Sequence, residues 1–254
     1  MSQSPGLPSI IIFGASGGIG SALARLLAAQ GCHLSIVARE RGRLDTFAAE
    51  LNAEAFSLDA TDSAAVERCL ADVSEKHGRV DGVVNCAGSL LLKPAHLTTD
   101  GEWAAVLGNN LTTSFYILRS ATARMMKTGG GSIVLMSSAV AQRGMINHEA
   151  IAAAKAGVVG LALSAAATYA RYNIRVNCVA PGLTRTPLTA SLTQNELTLK
   201  ASAALHPLGR IGEPDEVASA IRWFLSPGQS WVTGQVLAVD GGLSSLQSRM
   251  ASNP

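Results

Sequence analysis

Ser9-Ile10-Ile11-Ile12-Phe13 runs directly into Gly14-Ala15-Ser16-Gly17-Gly18-Ile19-Gly20, and Ser21 to Gln30 follows with apolar residues at helical spacing. A continuous apolar run suits a strand buried on both faces. The glycines that follow leave backbone N–H groups accessible at close range. A helix opening just after them turns its positive dipole end and its free donors toward the same point. Strand, glycine turn, helix and a second strand at His33–Ala38 together predict a cradle for the pyrophosphate of a dinucleotide. Gly14, Ser16, Gly18, Ile19 and Gly20 are its candidate contacts.

Outward from this turn, short β-type runs alternate with helical segments. Strands are expected at Ala55–Leu58, Val80–Asn85, Ser132–Ser137, Ile174–Ala180 and Val236–Val239. Helices are expected at Arg43–Leu51, from Asp62 to about His77, across Gly101–Met126, at Glu149–Tyr172 and at Asp215–Leu225. Alternation from end to end predicts an α/β, Rossmann-type doubly wound sheet of about seven parallel strands, with helices on both faces. No linker, repeat or low-complexity block interrupts it, so residues 1–254 read as one domain. The stretch Leu183–Gly212 lacks clean periodicity and is long for a connection, which predicts a lid over a substrate.

Composition narrows the class. Charged residues make up 15% of the chain and the formal net charge is +2, with no Lys/Arg run. This argues against a nucleic-acid partner. So little charge on a surface predicts that part of it is covered in a homo-oligomer, a dimer or tetramer. Cys32, Cys69, Cys86 and Cys178 show neither paired nor metal-ligand spacing, so no metal is expected and a reducing compartment is. Met1–Pro8 has no leader-like pattern, and the apolar stretch Ile151–Ala170 is broken by Lys155, Ser164 and Thr168. No membrane span and a cytoplasmic location are therefore expected.

The second strand ends at Val37-Ala38-Arg39. An acidic residue at that edge would hold the ribose 2′-hydroxyl of NAD. Arg39 offers instead a guanidinium fork for a 2′-phosphate, with Ser16 and Arg41 nearby, which predicts NADP(H); Glu40 opposes it.

Further motifs fall in order along the chain. They are Asp59 in Leu-Asp-Ala-Thr-Asp, Asn85-Cys86-Ala87-Gly88, Trp103 followed by Asn110, Met136-Ser137-Ser138, Pro181-Gly182 with Thr186, and Asp240-Gly241-Gly242. With Gly14–Gly20 they resemble the short-chain dehydrogenase/reductase family from about Ile10 to Gly242. Phe13 replaces the threonine of that family's TGxxxGIG. The resemblance implies that Asp59 contacts adenine and that Asn85, Ala87 and Gly88 pack beside the cofactor. Pro181, Gly182 and Thr186 would serve its nicotinamide end, and Lys155 its ribose. Ser138, Lys155 and Asn110 take the family's catalytic roles.

The family's reaction also uses a YxxxK tyrosine thirteen residues after the serine. Here that segment reads Ile151-Ala152-Ala153-Ala154-Lys155. Losing a positioned general acid typically costs about 10²- to 10⁴-fold in rate. Three readings stay open. His148, three residues before Ile151, replaces the acid, with Glu149 a weaker candidate. An activated ketone, imine or conjugated alkene needs less acid. Or the chain binds NADP(H) without turnover, as a sensor or oligomer partner. Ser89, Leu90, Leu91, Val140, Arg143, Met145, Ile146, Leu183 and Leu188 are expected around a mainly apolar small-molecule pocket, where Arg143 offers a carboxylate or phosphate contact. A β-ketoacyl thioester or small alicyclic ketone is the substrate class that the family analogy implies.

Overall fold

In the computed structural model, seven strands form one fully parallel sheet, β3-β2-β1-β4-β5-β6-β7. They are β1 Ser9–Phe13, β2 His33–Ala38, β3 Glu54–Ser57, β4 Gly82–Asn85, β5 Gly131–Met136, β6 Ile174–Pro181 and β7 Val236–Val239. The structure describes residues 7–247, so Met1 to Gly6, part of the stretch read for a leader, lie outside the described residues. The Rossmann-type fold expected from the alternation is present.

Both faces of the sheet are covered. Helices α1 (Gly18–Ala28) and α2 (Arg41–Leu51) and the later Pro214–Leu225 helix close one face over Ile10, Ile12, Ile36, Val84 and Val134. Helix α3 (Ser63–His77) and the Thr113–Met125 and Glu149–Tyr169 helices close the other over Ile11, Phe13, Val83, Ile133 and Val176. Side chains alternate across a strand, so the run Ile10-Ile11-Ile12-Phe13 feeds both layers in turn. Each fully buried side chain of this size contributes about 1.5–3 kcal/mol.

Helix ends follow local chemistry. The Asp62 carboxylate caps α3 by accepting from the N–H groups of Ala64 (2.9 Å) and Ala65 (3.1 Å). Gly78 ends it in the left-handed region at φ +71°, where glycine carries no Cβ penalty.

Two regions differ in detail from the expectation. The segment expected as one helix over Gly101–Met126 is α4 (Asp100–Leu107) and α5 (Thr113–Met125), joined by a π-helical turn at Gly108–Thr112. A single inserted residue leaves the apolar periodicity on both sides intact, so the pattern does not reveal it. Helix α6 (Glu149–Tyr169) stops short of Tyr172 in a 3₁₀ turn. It is long and apolar enough to pass for a membrane span, yet it packs on β6 with Ala154, Val158, Ala162 and Ala166 buried. The Leu183–Gly212 stretch contains a 3₁₀ turn and two helices, α7 (Ala190–Thr193) and α8 (Glu196–Leu205). Its ends meet, with Thr184 bridged to Gly212 and Gly212 N donating to Leu183 O at 2.9 Å. The chain then enters α9 (Pro214–Leu225).

Candidate active site

Strand order reverses around β1, whose end Phe13 is in register with Val37 on one side and Asn85 on the other. The crevice of a doubly wound sheet opens at that switch point, beyond the C-terminal strand ends. A cleft of about 280 Å³ lies there, lined by Gly14, Ser16 to Gly20, Arg39, Asp59, Ala87, Gly88 and Thr186 among others.

The turn is shaped by what glycine leaves out. Gly14 sits at φ +75°, and a Cβ there would stand 2.5 Å from Ala87 N. A Cβ on Gly18 would stand 2.7 Å from Thr186 Cγ2. The first turn of α1 has no side-chain cap at Gly17 and no acidic residue. Its orphan N–H donors are therefore left for a ligand anion. The cradle, the uncapped helix and the cleft fit a dinucleotide.

At the β2 edge the Arg39 guanidinium is exposed and makes no hydrogen bond or salt bridge among the described residues. Glu40 is engaged by Arg43 at 3.4 Å, and Arg41 by Asp45 at 3.3 Å. Arg41 is thus occupied, and Arg39 is the available cation. Asp59 Oδ1 accepts from Thr61 N (2.9 Å) and Oγ1 (2.8 Å). These bonds, together with the nearby Arg39 charge, hold its carboxyl below the usual range.

Asn85 works from behind the cleft wall. Its Oδ1 accepts from Ala87 N at 3.0 Å and its Nδ2 donates to Ser114 Oγ at 3.0 Å. It fixes the Ala87–Gly88 loop and is itself buried. The π turn aims Asn110 at the same loop. Asn110 Oδ1 accepts from Ser89 N at 3.2 Å, and Nδ2 donates to Ser89 Oγ at 3.0 Å and Val106 O at 2.9 Å.

Lys155 lies on α6 with only 8% of its surface exposed. Its ammonium donates to Met136 O at 2.9 Å, and burial without a carboxylate partner lowers its pKa to about 8. Next to Met136, Ser137 Oγ donates to Lys155 O at 3.0 Å, which pins α6 to the end of β5.

A second cavity, about 210 Å³, adjoins the first through the same two loops. Ser89 and Leu188 line the nucleotide cleft, while Leu90 and Thr189 line this one. Ser138, Ile151 and His148 all face it. Ile151 is 3% exposed and packs on Val106, Ala150 and Ala154. The ring of His148 is held through Nδ1, 2.7 Å from Ile146 O. A carbonyl only accepts, so Nδ1 carries the hydrogen and Nε2 is left for exchange.

Other expected contacts are placed differently. Pro181 and Gly182 line the second cavity rather than the nucleotide cleft. Arg143 does not reach into it; its guanidinium donates to Leu243 O. Ile146 is 87% exposed and lines neither cavity. Leu90, Val140, Met145 and Leu183 line it as expected, and Leu91 packs behind it with Ile151.

His206, at the end of α8, lines the cavity without having been anticipated. Nδ1 donates to Ser202 O at 2.7 Å and Nε2 accepts from Leu183 N at 3.3 Å. A Cβ on Gly182 would stand 2.7 Å from that Nε2. The side chain therefore ties α8 to the chain leaving β6. Only the glycine before Leu183 hints at it in the sequence.

Comparisons with known proteins agree with this geometry. A family model described as enoyl-(acyl carrier protein) reductase matches residues 14–244. The 3-oxoacyl-[acyl-carrier-protein] reductase FabG of Thermotoga maritima is 36% identical over 92% of this chain and 96% of its own. Cis-4-hydroxycyclohexanecarboxylate dehydrogenase of Sinomonas cyclohexanicum is 38% identical over 93% and 96%. A short-chain type dehydrogenase/reductase from Mycobacterium ulcerans superposes with a TM-score of 0.91 at 32% identity, covering 95% of this chain and 91% of that one. Actinorhodin polyketide ketoreductase with NADPH gives a TM-score of 0.90 at 31% identity, over 94% and 98%. The similar proteins are oxidoreductases, and this chain belongs to the short-chain dehydrogenase/reductase family.

Proposed function

We propose that this chain is an NADP(H)-dependent oxidoreductase acting on a neutral, apolar carbonyl compound or its alcohol, with His148 holding the proton that the family entrusts to a tyrosine. The observation that carries this reading is one cavity lined by Ser138, Ile151 and His148, next to a cleft edged by Arg39, which is unpaired among the described residues. The dinucleotide, when bound, supplies or accepts the hydride. Arg39 would receive its 2′-phosphate, and the donors of Gly14–Gly20 and α1 would receive its pyrophosphate. The Ser138 hydroxyl donates to the substrate oxygen. His148 Nε2 gives up or takes the proton at that oxygen, while Ile146 O keeps the ring oriented. His206 is unsuited to that task, since both its nitrogens are engaged. The Lys155 ammonium adds positive charge behind the site and donors for the ribose. Asn110 holds the Ser89 loop that walls both cavities.

The substrate class follows from the lining. Leu90, Val140, Met145, Leu183 and Leu205 dominate, and among the described residues no Lys, Arg, Asp or Glu contributes. The lining offers a carboxylate no guanidinium or ammonium fork, and its one proposed acid, His148, is committed to the reacting oxygen.

The test is NADPH oxidation with cyclic ketones and their keto-carboxylate counterparts, for wild type, His148→Ala and Ile151→Tyr. Turnover of the neutral ketones by wild type, lowered about 10²- to 10⁴-fold in His148→Ala, is expected. A silent wild type beside an active Ile151→Tyr would overturn the reading in favour of nucleotide binding without turnover. Preference for the keto-carboxylates would overturn the substrate class alone.

A further inference from the structure

The opposite end of the sheet carries a further cleft that the redox reading does not use. About 370 Å³ in volume, it lies at the N-terminal strand ends, between Ile10 of β1, Gly82 of β4, Gly131 of β5 and Arg175 of β6. We propose that it binds a small organic monoanion, a carboxylate on a short apolar body, between Arg175 and Arg222.

The charges facing it are unevenly matched. Arg79 is paired with Asp81, whose other oxygen accepts from Ser9 N at 2.9 Å. Among the described residues Arg175 donates only to carbonyls, Val232 O at 3.3 Å and Ser226 O at 3.5 Å. Arg222 has no carboxylate partner among the described residues, and its buried Nε has no hydrogen-bond partner at all. Helices α1 and α9 both end here. Their C-terminal dipole ends offset about half a positive charge each. Arg175 and Arg222 remain the two guanidiniums here without a carboxylate partner among the described residues, which suits an anion.

Burial lowers the Arg175 pKa, the direction expected of a cation lacking a counter-ion. A guanidinium presents its N–H donors in a fork that matches a carboxylate. The remaining wall is apolar, with Ile10, Leu27, Leu225 and Pro227, and accepts a hydrocarbon body. The cleft shares no lining residue with the nucleotide cleft or the carbonyl cavity.

The probe is hexanoate, with hexanamide as the uncharged counterpart, at constant ionic strength on the full chain. Hydrogen exchange by mass spectrometry on the wild type should show saturable protection by hexanoate at residues 128–132 and 222–230, and none by hexanamide. Calorimetry should show at least about ten-fold weaker hexanoate binding in Arg222→Gln and Arg175→Gln, with NADPH affinity unchanged. The proposal fails if protection is absent, or equal with hexanamide. It also fails if protection falls instead at 14–20, 138–151 or 183–206, or if Arg222→Gln binds hexanoate like wild type. The wild-type map decides the matter even if a variant does not fold.

Discussion

At the scale of single residues, Lys155 carries the largest electrostatic cost in the candidate site. Its pKa falls from 10.5 to about 8 on burial. Between those values the unfolded chain binds more protons than the folded one, so stability rises with pH through that window. Below about pH 8 both states are protonated and the penalty is fully present; above 10.5 both are neutral and it is gone. The shift corresponds to about 3 kcal/mol. Lys155→Met removes the charge and leaves Met136 O without its donor, at a cost of about 1 kcal/mol. Urea unfolding at pH 7 should therefore show Lys155→Met more stable than wild type, the gap closing as pH approaches 10.5. A gap independent of pH would mean that the lysine binds its proton equally well in the folded and unfolded chain, with no burial penalty to relieve. Arg39 makes a complementary case. Among the described residues it makes no hydrogen bond or salt bridge and acts on the fold only through its charge near Asp59, so Arg39→Ala should nearly keep its melting temperature while weakening NADPH binding about ten-fold or more and leaving NADH binding nearly unchanged. Equal losses for the two nucleotides, read by fluorescence titration, would assign Arg39 no part in discrimination.

At the scale of elements, ends and joints position the site. Asp62 caps α3 through two backbone donors. Asp62→Ala should cost about 0.5–2 kcal/mol, with kcat and KM unchanged, since α3 reaches neither cavity. His206 is the tie of α8. His206→Ala frees Leu183 N and should raise KM several-fold with a smaller change in kcat. A fall in kcat alone would argue that His206 touches the reacting atoms. What the sequence revealed of these elements depends on the kind of signal. Asp62 and Gly78 were legible because capping chemistry is local. Asn85, Asn110 and Lys155 were recognisable by motif, but their partners, Ser114, Ser89 and Met136 O, are set by long-range packing. The π turn that aims Asn110 leaves periodicity undisturbed and stayed hidden. Arg143 misled because its carbonyl partner, Leu243, lies 100 residues away.

At the scale of the whole molecule, strand–helix alternation carried the topology. A parallel sheet buried on both faces is made largely from continuous apolar runs, and Ile10–Phe13 of β1 and Ile133–Met136 of β5 are such runs. Surface features are harder to read, because an exposed apolar side chain looks in sequence like a core one. Trp231 is 99% exposed and Trp223 on α9 is 42% exposed. Trp231 lies five residues before β7, which among the described residues is an edge strand paired only to β6 and whose Leu237 is 38% exposed. An exposed edge strand with exposed apolar side chains is a surface that monomeric proteins usually cover or blunt with charge. Light scattering after size exclusion should therefore give a mass of two or four times 26.2 kDa. Trp231→Glu together with Leu237→Glu should lower it toward one chain, because like charges brought together across a two-fold contact are unfavourable. A wild-type mass of 26.2 kDa at micromolar concentration would refute the assembly. An unchanged mass in the double variant would place the contact on another face.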